Sequence, residues 1–267
     1  MAETFYRHQS GLILPYKEER RPTCIDFFCG CGGMSLGIIQ AGFEVIAGVE
    51  WEASAAITYM ANLGSYPIDI YYAEPKDEDR LNKAAEKLVK KDKKSGIMRM
   101  TRTSGTGWIR NSKGFPPVRN FWFGDIRKIH GEDILAALGM NQGDVDLVCG
   151  GPPCQGFSMS GKRNTMDPRN SLVFEFARLI CEIMPKTFVV ENVPGILSMV
   201  TPEGFPVVDA FCRMLEDGGF GGFDALKKTL LNTAGAGAAL KTGTKKKAAK
   251  KAEKKSAPEE SQQLTLF

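Results

Sequence analysis

Histidine is almost missing from this chain: His8 and His130 are the two present among 267 residues. That scarcity speaks against imidazole-built zinc sites. Cys29-x-Cys31 also lacks the usual spacing and a second pair, so no metal site is expected. No run of about 18 apolar residues occurs, so no membrane-spanning helix is expected. The N-terminus, Met1 to His8, lacks the charged-then-apolar pattern of a secretory leader. A disulfide framework is not expected either. Of the seven cysteines, Cys24, Cys29, Cys31, Cys149, Cys154 and Cys181 fall mostly on or beside segments that read as buried strands and helices. Reduced thiols in a cytosolic setting fit that usage better. A strong charge of one sign is missing as well. The net charge is +4, and the segment Lys241 to Lys255 alone carries eight lysines against Glu253. The remaining body is slightly acidic, so any nucleic-acid partner has to be inferred from site residues.

What is present reads as one sizeable core, with 43% hydrophobic and 25% charged residues. Residues Thr23 to Phe28 form a short apolar run of the buried parallel-strand type, followed by glycines and a helix from Met34 to Ala41. Glu44 to Val49 reads as the next strand and Glu52 to Asn62 as the next helix. From Glu74 to Asn120 the alternation is interrupted. Leu81, Ala84, Ala85 and Leu88 have helical spacing there, whereas Thr101 to Lys113 is polar and rich in glycine and serine. This stretch is expected to be a surface insertion, partly helical and partly mobile. The alternation then resumes with strands at Asn120–Phe123, Val145–Cys149 and Thr187–Glu191, and helices at Glu132–Leu138, Ser171–Ile183 and Val207–Glu216. Alternating strands and helices predict an α/β fold with a mostly parallel sheet, whose ligands bind at the carboxyl ends of the strands.

Three segments at such ends carry chemistry. Asp26-Phe27-Phe28-Cys29-Gly30-Cys31-Gly32-Gly33-Met34-Ser35 is a strand that ends in a glycine-rich turn and opens a helix. Gly30, Gly32 and Gly33 permit a tight turn and close backbone approach, and the helix start offers unpaired N–H groups. The turn lacks the spaced G-x-G-x-x-G of dinucleotide sites. Glu50 can accept ribose hydroxyls, and Trp51 beside it offers a face for adenine. Singly, Glu50 reads more readily as a surface acid and Trp51 as a packed core ring; their adjacency behind the second strand favours function. Gly150-Gly151-Pro152-Pro153-Cys154-Gln155-Gly156-Phe157-Ser158 sets a cysteine on a pedestal stiffened by two prolines. Alone, Cys154 reads as a small buried hydrophobe. Val189-Val190-Glu191-Asn192-Val193-Pro194-Gly195 places Glu191 at the end of a buried strand.

Together these segments resemble, nearly letter for letter, the ordered motifs of the DNA cytosine-5 methyltransferases. The resemblance runs from about Thr23 to Asn232. It implies a Rossmann-like S-adenosylmethionine-dependent methyltransferase fold. It also implies that S-adenosylmethionine is held by Phe28, Gly30, Gly32, Gly33, Glu50, Trp51, Asp125, Ile126, Pro152 and Leu172. By the same resemblance, Cys154 is the nucleophile that adds to C6 of cytosine, and Glu191 is the acid that donates to N3. Cytosine C5 is a poor nucleophile until a thiolate adds at C6, and a free cysteine at neutral pH is only slightly ionised. The target base is stacked in double-stranded DNA, so it must be flipped out. Gln155, Ser158, Ser160, Lys162 and Arg163 resemble the DNA-contacting loop, with Lys162 and Arg163 meeting phosphates. The implied setting is the nucleoid of a bacterial-type cell, in DNA methylation and restriction-modification.

The resemblance then stops. Leu230 to Ala234 resembles the strand leading into a Gly-Val-Pro-Gln segment with two arginines, but the chain continues Gly235-Ala236-Gly237-Ala238-Ala239-Leu240. The expected organisation is a catalytic domain over residues 1–234, incomplete at its C-terminal end, with the insertion at about 75–118. A disordered Ala/Gly/Lys-rich linker over 235–260 and a short motif over 261–267 follow. Three explanations stand: the catalytic half of a split enzyme with a complementing recognition subunit, a truncated methyltransferase, and a catalytically silent DNA- or clamp-binding protein. The terminal Gln263, Leu264, Leu266 and Phe267 resemble the peptide by which bacterial DNA-processing proteins bind the sliding clamp.

Overall fold

A computed structural model describes residues 5–7, 13–15, 20–95, 104–153, 172–201 and 204–220. The chain divides into two units, 1–221 and 222–267, and every described residue belongs to the first. The linker and the terminal motif lie outside the described residues.

Short strands β1 (Phe5–Arg7) and β2 (Ile13–Pro15) pair antiparallel as a separate ribbon. The main sheet has six strands: β3 (Thr23–Phe27), β4 (Glu44–Glu50), β5 (Gly64–Tyr72), β6 (Val118–Phe123), β7 (Leu147–Gly150) and β8 (Thr187–Val190). Their order is β5-β6-β4-β3-β7-β8, and every neighbouring pair is parallel. All five residues of β3 and all four of β7 are buried, as the continuous apolar runs of a covered parallel sheet require. The α/β fold and mostly parallel sheet expected from the alternation are the ones observed.

The helices are α1 (Gly33–Gln40), α2 (Ala53–Leu63), α3 (Pro75–Ser95), α4 (Trp108–Asn111), α5 (Gly131–Leu138), α6 (Leu172–Ile183) and α7 (Val207–Leu215). Helix α2 starts where the Glu52 carboxylate accepts from Ala55 N at 2.8 Å, a side-chain cap that satisfies an orphan donor. It buries Ala53, Ala56, Tyr59, Met60 and Leu63 at helical spacing. Tyr59, Phe121 and Phe123 are fully buried beside them, and each ring contributes roughly 1.5–3 kcal/mol by leaving water. Helix α6 presents Val173, Phe176, Ala177, Leu179, Ile180 and Ile183 to the core. No helix among the described residues is long and apolar enough to cross a membrane.

Three findings depart from the sequence pattern. Strand β8, expected to be buried, leaves Thr187 and Val189 exposed, as the last strand in the order of the main sheet. Strand β5 was not expected. It carries Pro67, alternates poorly and leaves Tyr66 exposed, all of which an edge strand tolerates because one side of its backbone is unpaired. Its pairing with β6 jumps from Gly64↔Val118 to Asp69↔Asn120. The described part of the polar stretch expected to be mobile is anchored. Gly105 N donates to Met60 O at 3.1 Å, and Thr106 N and Gly107 N donate to Ala61 O at 3.0 and 2.9 Å. These bonds satisfy the last carbonyls of α2.

Sheet order reverses between β4-β3 and β3-β7, so the carboxyl ends of the central strands flank a topological switch point. There Glu50 ends β4, and Phe28, Gly124, Gly151 and Glu191 follow directly on β3, β6, β7 and β8.

Candidate functional site

The turn after β3 reverses with Phe28 at φ 56°, Gly30 at φ 54° and Gly32 at φ 95°. Gly32 also packs tightly. A Cβ there would lie 2.6 Å from Leu63 Cδ1 and 3.0 Å from Tyr59 Cδ2, so the turn rests directly on α2. At Gly30 and Gly33 an added Cβ would meet open space, leaving the upper side of the turn clear. Glu50 holds the turn from the next strand. Its Oε2 accepts from Gly30 N at 2.8 Å, and its Oε1 accepts from Trp51 N at 2.8 Å and Glu52 N at 2.7 Å. A carboxylate has about four acceptor positions, so Glu50 first fixes this turn and keeps little capacity beyond it.

Beneath the turn lies a polar cluster that the motif reading passed over. Asp26, 1% exposed, accepts from Ser35 Oγ at 2.6 Å, and Ser35 Oγ lies 2.8 Å from Tyr59 Oη. Asp26 Oδ1 is buried without a hydrogen-bond partner. Burial pushes the Asp26 carboxyl up to about 6, although the Ser35 hydroxyl pulls the other way. The signal was available: an acid inside the otherwise apolar strand Cys24-Ile25-Asp26-Phe27.

Trp51 is half-exposed at 52%. The Arg80 guanidinium lies over its ring, 4.0 Å from the centroid, and 4.4 Å from that of Phe123. Asp125 is engaged by Arg127, whose Nε and Nη2 donate at 2.9 and 2.7 Å and whose backbone N donates at 3.1 Å. Burial pushes the Asp125 carboxyl up, but these donors and the Arg127 charge outweigh it and hold the group below its usual range. Ile126 is buried and opens the 3₁₀ turn Ile126–Lys128. Arg178 of α6 secures that turn through Nη2, which donates to Ile126 O at 3.1 Å and Ile129 O at 3.0 Å.

On the other side of the switch point, a Cβ on Gly150 would lie 2.6 Å from Phe27 O and 2.8 Å from Phe176; β7 thereby sits flush against β3. Glu191 N donates to Gly150 O at 3.0 Å. Glu191 Oε2 lies 3.1 Å from where a Cβ of Gly151 would stand. Asn192 Nδ2 donates to Pro152 O at 3.2 Å, and Asn192 Oδ1 accepts from Val193 N at 2.8 Å. The exposed Glu191 is thus held across the backbone that enters Pro152-Pro153. Pro152 is buried, Leu172 opens α6 half-buried, and the Phe28 and Phe176 rings lie 6.3 Å apart. Cys154, Gln155, Ser158, Ser160, Lys162 and Arg163 lie outside the described residues, as do Gln263, Leu264, Leu266 and Phe267. No group of three or more potential metal ligands occurs among the described residues.

Residues 22–86 and 112–239 match the model of the C-5 cytosine-specific DNA methylase family. The chain belongs to that family. The glycine turn, the Glu50–Trp51 pair, the Asp125–Ile126 pair and the Pro152 and Glu191 strand ends all fall inside the matched parts of the chain. Residues 87–111, between the two parts, include the end of α3 and α4. The chain is similar to Type II methyltransferase M.AquIA of Picosynechococcus sp., 33% identical over 175 residues, covering 65% of this chain and 49% of the relative. It is also similar to Type II methyltransferase M.DdeI of Desulfomicrobium norvegicum, 31% identical over 199 residues, covering 73% of this chain and 34% of the relative. The chain spans about half the length of these relatives, or less.

Proposed function

We propose that this chain transfers a methyl group from S-adenosylmethionine to C5 of cytosine in double-stranded DNA. One observation carries the reading. In a chain of the cytosine methylase family, adjacent parallel strands bring the Glu50-held glycine turn, Glu191 beside Gly151 and the Asn192–Pro152 hydrogen bond to the same end of the sheet.

The residues present fit the cofactor. Space is open above Gly30 and Gly33, Trp51 offers an accessible indole, and Glu50, which already accepts from three backbone N–H groups, keeps about one acceptor position at the strand end. Phe28, Gly32, Asp125, Ile126, Pro152 and Leu172 complete the proposed lining. S-adenosylmethionine supplies, when bound, a methyl group activated on a sulfonium. The rest is work for the chain. The Cys154 thiolate adds to C6 of the flipped base, and the electron pair moves toward N3, where Glu191 donates a hydrogen bond or proton. C5 thereby becomes nucleophilic. Once C5 carries the methyl group, loss of the C5 proton to water restores the C5–C6 double bond and expels the Cys154 thiolate, and a proton given to N3 returns to Glu191. Asn192 positions Glu191 by tying its turn to Pro152 O. Gln155, Ser158, Ser160, Lys162 and Arg163 engage the DNA around the extruded base.

The recognition half of the site is assigned to a complementing second polypeptide, and residues 263–267 to binding of a bacterial sliding clamp. The test uses DNA containing 5-fluorocytosine, which cannot lose its C5 substituent. With S-adenosylmethionine, the chain, alone or with its complementing polypeptide, should form a covalent adduct that Cys154→Ser abolishes. Absence of an adduct under every pairing overturns the reading in favour of a catalytically silent binding protein.

A further inference from the structure

The geometry points to Arg80 as a positioning residue of the cofactor site: stacked between Trp51 and Phe123, it fixes the indole that faces the adenine. The inference rests on the proposed role of Trp51. Arg80 lies on α3, an element in which sequence reading found no chemistry. Its guanidinium is sandwiched at 4.0 Å from the Trp51 centroid and 4.4 Å from the Phe123 centroid. Its Nη1 donates to Trp51 O at 2.8 Å, so ring and backbone of the same residue are held by one cation. A planar guanidinium suits this double task; an ammonium does not stack.

The cation is itself fixed. Its Nε donates to Asp77 Oδ1 at 3.2 Å, and Nη2 pairs with the same oxygen at 3.1 Å. Asp77 is 1% exposed, and its Oδ2 accepts from Glu74 N at 3.1 Å. That carboxylate also abuts Gly124, where a Cβ would lie 2.5 Å from Asp77 Oδ2. Gly124 N donates to Glu50 O at 3.1 Å. Asp77 and Arg80 therefore brace the ends of β4 and β6, the two strands from which Glu50–Trp51 and Asp125–Ile126 project.

A half-exposed indole would otherwise sample several rotamers and lose them on stacking against a purine. Holding it in place beforehand removes that loss from binding. With Arg80 on one face of the ring, the opposite face is left for the adenine.

The test is the dissociation constant of S-adenosylmethionine, measured by isothermal titration on the full chain and on Arg80→Met, Arg80→Lys, Trp51→Phe and the Arg80→Met/Trp51→Phe double variant. Circular dichroism reports whether each is folded. Arg80→Met should weaken binding roughly three- to tenfold, the effect of freeing about one side chain. Arg80→Lys should recover only part of the loss and carries the test if the Met variant misfolds. In the Trp51→Phe background, Arg80→Met should add little. Wild-type affinity in the folded Arg80 variants, or an undiminished loss in the Trp51→Phe background, overturns the role of Arg80 alone. Absence of saturable binding by the wild type overturns the underlying cofactor reading.

Discussion

Asp26 stands on β3 between Ile25 and Phe27, with one carboxylate oxygen on Ser35 and the other buried without a partner. Its carboxyl, raised by burial to about 6 from 3.8, makes stability depend on pH. The native state binds the proton more tightly than the unfolded chain, so this contribution is full below about pH 4 and is lost as pH rises through 6. The loss is roughly 2–3 kcal/mol by pH 7. Asp26→Asn should gain stability relative to wild type by about that amount between pH 4 and pH 7, measured by urea unfolding. A pH-independent difference between the two proteins would contradict the assignment. Gly32→Ala meets a different obstacle: a left-handed φ and a Leu63 methyl in the space its Cβ needs. It should cost about 1–3 kcal/mol in thermal or chemical unfolding. The glycine motif was legible in the sequence because glycine's conformational freedom is a local property. The hydrogen-bond partners of Glu50 were not, because they depend on how β3 and β4 come into register.

At the scale of elements, the central strands and their helices were legible because strands covered on two faces must be continuous apolar runs. Strand β5 escaped because an edge strand is held on one side and tolerates Pro67 and exposed tyrosine. Arg80 escaped for a related reason. Its contact with Trp51 spans 29 residues in sequence and exists only because α3, packed against α2 and β5, carries Arg80 to the end of β4. Arg178 was closer to reach, since Glu175 and Glu182 stand three and four residues away on the same helix. Its hold on Ile126 O and Ile129 O was not, because that depends on α6 crossing the 3₁₀ turn. Arg178→Met should lower stability by about 1.5–3 kcal/mol, the range for charged hydrogen bonds partly shielded from water. Faster amide exchange at residues 126–131 should accompany it. Unchanged exchange there would show that the turn is held by other means.

The whole molecule combines a nearly neutral body with a lysine-rich segment and a terminal Gln263-Leu264-Thr265-Leu266-Phe267. In the proposed arrangement the lysines act as a charged tether and the terminal peptide as an anchor on the clamp, which raises local concentration on DNA without adding a catalytic contact. Removing residues 263–267 should abolish clamp binding in a pull-down while leaving S-adenosylmethionine affinity unchanged. Equal retention by both forms would end the clamp assignment. The motif order along the chain placed Phe28, Glu50, Trp51, Pro152 and Glu191 at strand ends, and the structure has all five at the carboxyl ends of the parallel strands. The most direct measurement is transfer of tritium from methyl-labelled S-adenosylmethionine to DNA, followed by digestion and base analysis, with and without the proposed complementing polypeptide. The account predicts label in 5-methylcytosine and its loss in Cys154→Ser. Label that persists in Cys154→Ser, or that appears in a base other than 5-methylcytosine, would contradict it.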